Sequence, residues 1–252
     1  MELSVENNKD ESNCSLYSIL CSEKDGIKIV EINERGCNYH DFVLIYYKAA
    51  AENIPLLKQL HEKYKKSEKT ICFIGCKSYE SDSQQDYSEY YSFFDLNGIM
   101  FGGEKEFESI VLSAYSCRGG QSHGDPQDWL NLKNSGGLCC LEETGKSVPE
   151  IVNNLYGKLG EFYTTHPYIT KIKTGIVCVL TNGFDDIPMS DIKSISKLSE
   201  FFEEGHSLDL YFNTECEAIE PGSIKLTLIS DVDFVWIISD KKREIKSRKK
   251  MF

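Results

Sequence analysis

The sequence lacks the loops that usually cradle phosphates. Gly102-Gly103, Gly119-Gly120 and Gly136-Gly137 fit neither GxxxxGK[ST] nor GxGxxG, so no bound nucleotide cofactor is expected from motifs. Long apolar runs are missing too; none approaches the roughly eighteen residues that a membrane span needs. The start, Met1-Glu2-Leu3-Ser4-Val5-Glu6-Asn7-Asn8-Lys9-Asp10-Glu11, is polar and acidic, where a secretory leader would place positive charge and then an apolar stretch. Proline is sparse at six residues, no proline- and glycine-rich linker marks a domain boundary, and the two halves show no repeat. Positive charge is in deficit: 28 Lys and Arg against 40 Asp and Glu give a net charge of -12. Adhesion to nucleic acid by bulk charge is therefore not expected. The exception is the last twelve residues, where Lys241, Lys242, Arg243, Lys246, Arg248, Lys249 and Lys250 face one Glu and form a basic tail over 241–252.

Cysteine, by contrast, is plentiful, with ten residues. Cys72, Cys139, Cys140 and Cys178 sit in apolar stretches, as reduced cysteine does when it acts as a small buried hydrophobe. Together with the leaderless start this points to an intracellular, cytoplasmic protein with free thiols and no membrane association. At 252 residues the chain can bury a substantial core.

Hydrophobic patterning predicts a mixed α/β protein: a mixed sheet with flanking helices, after a disordered tail over 1–13. One α/β domain over 14–240 is expected, with a division into two lobes near 78–97, where an acidic, tyrosine-rich segment runs from Tyr79 to Tyr91. Strands are expected at 27–32, 41–48, 70–75, 175–181, 208–212, 224–229 and 234–238, the last two as a hairpin. Helices are expected over 49–66, 107–115, 147–163 and 190–204. The strand–helix–strand order over 41–75 makes its two strands parallel. Ser147 with Glu150 three residues on, and Ser190, are the expected N-caps.

The chain is organised around Asn134-Ser135-Gly136-Gly137-Leu138-Cys139-Cys140-Leu141-Glu142-Glu143-Thr144-Gly145-Lys146: a glycine turn, a short apolar strand, and carboxylates at its exit. Glu104, Glu106 and Glu108 open a predicted helix just after Gly102-Gly103. If that helix packs on the strand, Glu104 and Glu106 converge with Glu142 and Glu143, and carboxylates held so bind Mg²⁺ or Mn²⁺ and activate water. The alternative is structural: glutamates at a helix start favour its dipole. A second candidate is the thiol of Cys117, with His123 in the same polar loop. Cys-Arg-Gly is similar to a caspase-type nucleophile loop, although there the histidine precedes the cysteine; the plain reading is an inert thiol. Zinc would need Cys72, Cys76 and the Cys139-Cys140 pair with His123, His166 or His206. Adjacent strand residues face opposite ways, which works against the pair.

The same middle stretch resembles Schlafen or AlbA-like divergent domains. It has an asparagine and glycines, an apolar strand, two acids and a glycine turn: Asn134, Gly136, Gly137, Glu142, Glu143 and Gly145. Phe101-Gly102-Gly103-Glu104-Lys105-Glu106-Phe107 and Leu198-Ser199-Glu200-Phe201-Phe202-Glu203 are similar to further segments of that family. The glutamate spacing and the zinc ligands are not reproduced. The resemblance implies RNA processing, either as a metal-dependent endoribonuclease or as a subunit of one. Glu104, Glu106 and Glu143 would be catalytic, Glu142 a further metal ligand, and Arg118, Lys133 and Lys146 would meet RNA phosphates. The competing expectation is a non-catalytic module that binds protein partners in an intracellular complex.

Overall fold

A computed structural model describes residues 17–24, 26–34, 42–48, 53–66, 70–76, 97–101, 103–119, 137–166, 169–183, 187–202 and 208–234. Among these, nine strands form one sheet in the order β1-β2-β3-β4-β5-β6-β9-β7-β8. They are β1 Tyr17–Lys24, β2 Ile27–Glu34, β3 Phe42–Lys48, β4 Thr70–Cys76, β5 Asn97–Phe101, β6 Gly137–Gly145, β7 Ile169–Thr181, β8 Leu208–Asn213 and β9 Ile224–Phe234. The helices are α1 Ile54–Lys65, α2 Glu104–Gly119, α3 Val148–Thr165 and α4 Met189–Ile195, the last running into a 3-10 turn, η1, at Ser196–Phe201. β3, β4, β5 and β6 run parallel, as do β7 and β8, while β1, β2 and β9 run against their neighbours. The fold is mixed α/β, as the patterning predicts, and the β3–α1–β4 crossover joins parallel strands.

Side-chain alternation sorts the strands' residues onto two faces. Val30, Ile32, Leu44, Ile74, Leu138, Cys140, Ile176, Cys178, Leu180 and Ile229 pack against Phe107, Ile110, Val111 and Ala114 of α2. The opposite face carries two clusters. Ile27, Ile29, Val43, Ile45 and Tyr47 hold α1 through Ile54, Leu57, Leu60 and Tyr64. Cys139, Val177, Val179, Leu226 and Leu228 hold α3, α4 and η1. Helix α2 reaches both edge strands, β1 and β8, so the sheet curls around it.

Several boundaries differ from expectation, each for a local reason. β1 is an added strand, joined to β2 across Gly26, whose φ of +74° suits glycine. β7 starts at Ile169 rather than at 175, and in place of the turn expected between strands at 224–229 and 234–238, β9 runs unbroken through Ser230 and Asp231, which are polar yet buried. Polarity there signals a turn in sequence, but the paired ladder overrides it. The helix predicted over 190–204 tightens to 3-10 geometry after Ile195, and its N-cap is Pro188 rather than Ser190. Ser147 does occupy the α3 N-cap, without a side-chain capping bond. The tails at 1–13 and 241–252, the segment 79–91 and residues 235–238 lie outside the described residues.

Candidate functional site

The first turns of α2 are tied down at four points. Glu104 pairs with Lys28 of β2. The Gly103 backbone N–H donates to Glu106 Oε2 at 2.6 Å, so Glu106 turns back on its own helix start, satisfying a donor that helix geometry leaves open. Lys105 Nζ lies 3.1 Å from Glu142 Oε1, and the Ser109 hydroxyl donates to Glu142 Oε2. Glu142 is the centre of this group. It projects from β6 toward α2, in register with Thr227 of β9, and Lys225 Nζ sits 2.6 Å from its Oε2. Lys225 also lies 3.5 Å from Ser109 Oγ.

Burial of the Glu142 side chain, which is 22% exposed, works to raise its pKa. The bonds from Lys225, Ser109 and Lys105 overcome this and hold the carboxyl down at about 2. Such a carboxylate stays charged at neutral pH and is too weak a base to take the Ser109 proton. The Lys225 ammonium lies against the carboxylate oxygen that a divalent ion would need. Glu142 in turn raises the pKa of Lys105 through its hydrogen bond and charge. Glu143 points to the other side of β6, where Lys158 of α3 pairs with it at 2.5 Å and donates to the Glu142 backbone oxygen at 2.7 Å.

The four glutamates predicted to converge are thus distributed: Glu104 to β2, Glu106 to its own helix start, Glu142 to the α2–β6–β9 junction, and Glu143 to α3. Neither Glu142 nor Glu143 leaves the strand, since β6 continues to Gly145. Among the described residues no group of three His, Cys, Asp or Glu gathers as ion ligands. Zinc finds no support either. Cys139 and Cys140 face opposite sides of the sheet, and burial pushes both thiols up, away from the thiolate that zinc binds. His166 is buried at the end of α3, with Nδ1 2.9 Å from the Phe162 backbone oxygen. Lys146 is exposed between β6 and α3. Cys117 and Arg118 fall in the last turn of α2, and their side chains, like Lys133 and His123, lie outside the described residues.

Sequence reasoning missed Lys225, Lys105, Ser109 and Lys158, the partners that account for Glu142 and Glu143. Only one short-range signal existed. Ser109, Ser113 and Ser116 recur on one face of α2, and all three are buried. Ser109 meets Glu142, while Ser116 lies 3.5 Å from Cys216 and accepts at its backbone oxygen from Asn213.

A second surface lies on the far side of the sheet. Tyr156 of α3 is 40% exposed and meets Phe201 of η1 edge-on at 4.6 Å, with its hydroxyl donating to Glu200 at 3.1 Å. Phe201 stacks on Tyr163 at 5.9 Å. Gly157 and Gly160 lie near Tyr156 on α3, and a methyl group added at either would meet nothing within 4 Å among the described residues. Met189, at the start of α4, is 66% exposed.

No protein family's sequence pattern matches the chain, and no curated protein does. Solved structures do. FtsZ from M. jannaschii (W319Y mutant) matches 70% of this chain and 60% of its own at 9% identity, TM-score 0.45. CetZ from Methanosaeta thermophila matches 83% and 69% at 13% identity, TM-score 0.48. TubZ from Bacillus thuringiensis, in GDP-form protofilaments, matches 82% and 66% at 13% identity, TM-score 0.46. The chain thus spans 60% of the length of that FtsZ. The Schlafen or AlbA-like reading, and with it RNA processing and the metal-dependent endoribonuclease, is corrected: no family's sequence pattern matches the chain, and the glutamates that it needs together are held apart on separate partners. Described residues of those short motifs have structural explanations: Gly103 precedes a helix, Gly137 starts a strand, Glu104, Glu142 and Glu143 pair with lysines, and Glu106 accepts from the Gly103 backbone N–H. No helix among the described residues is long and apolar enough to cross a membrane.

Proposed function

We propose that the chain is an assembly subunit that works by associating with further copies of itself. The supporting observation is the outer surface of α3 and η1, where Tyr156 stands exposed beside two helical glycines. Glycine inside a helix costs about 1 kcal/mol relative to alanine. At Gly157 and Gly160 the packing of the described residues gives no return for that cost, because alanine would fit against them at both. An exposed aromatic next to backbone that a neighbour can approach closely suits a protein contact. The lysine-paired state of Glu142 and Glu143 favours a role without acid–base chemistry at those carboxylates.

Sedimentation velocity of the full chain over a range of concentrations tests this, with arms lacking and containing Mg²⁺ with GDP or GTP. The reading expects a sedimentation coefficient that grows with concentration. It expects Tyr156→Ala to weaken that growth by about tenfold in concentration, with unchanged circular dichroism. A monomer at every concentration in every arm would overturn it.

A further inference from the structure

We draw no further inference here: the strongest candidate, the outward face of α3 around Gly157 and Gly160, belongs to the surface already described, and nothing in the structure shows what covers it.

Discussion

Helices α2 and α3 lie on opposite faces of the same strands, β6, β9 and β7, yet they are fastened differently. α3 offers Val148, Ile151, Val152, Leu155, Leu159 and Phe162, all buried, to strand residues that are mostly aliphatic. α2 offers an apolar face as well, but its serine stripe and first turn bring hydroxyls, lysines and carboxylates into the seam. The difference explains why the larger charge cluster lies on the α2 side, while the α3 side of β6 carries the single Glu143–Lys158 pair among the described residues. Where a helix start meets a strand carrying Glu142, the carboxylate must be balanced in place, and Lys225, Lys105 and Ser109 balance it.

The largest expected effect sharpens the apolar side. Leu155→Ala removes a fully buried side chain beneath α3 and is expected to destabilise by about 3 kcal/mol, read from urea unfolding. A loss below about 1 kcal/mol would show that α3 is not a core helix. Gly175→Ala probes the same side by crowding. The added methyl carbon would lie 2.6 Å from Phe202 Cζ, so a loss of about 2 kcal/mol is expected, largely relieved when Phe202→Leu is added. A Gly175→Ala variant as stable as the parent would mean that Phe202 packs elsewhere.

On the polar side, Glu142→Gln is expected to destabilise by about 2 kcal/mol at neutral pH, moderated by the partial exposure of the side chain. The pH dependence follows from a depressed carboxyl. The folded state holds the proton less tightly than the unfolded one, so the stabilisation is full above about pH 4.5 and is lost as pH falls toward 2. The gap between the parent and Glu142→Gln should therefore close over that window. A gap that stays constant down to pH 2 would assign the loss to shape rather than charge.

The sequence carried the apolar side of this comparison well and the polar side poorly. The 3.6-residue spacing of Ile151, Leu155, Leu159 and Phe162, and the β-rich runs at 42–48 and 175–181, are local patterns that burial turns directly into structure. The partners of Glu142 are not local. Lys225 lies on β9, and its place beside β6 is set by strand order, which no short motif encodes. Likewise the glycine-flanked acids looked like a metal-binding exit because the strand's continuation through Thr144 depends on its pairing with Lys225.

Smaller effects separate contact from packing. Gly157→Ala and Gly160→Ala are each expected to raise stability by about 0.5–1 kcal/mol, seen as a higher melting temperature. If self-association weakens in the same variants, the glycines serve a neighbour; destabilisation would place something against them within the chain. Smallest is Thr227→Val. Its hydroxyl is fully buried on the α2 side without a hydrogen-bond partner among the described residues, so a change within about 0.5 kcal/mol or a slight gain is expected. A loss above about 1 kcal/mol in urea unfolding would reveal a bond made there.

The most direct test is the titration of the Glu142 carboxyl carbon by NMR in the intact protein. A midpoint near 2 is the result expected of a carboxylate clamped between Lys225, Lys105 and Ser109. A midpoint at the ordinary value of about 4.3 would contradict the clamp.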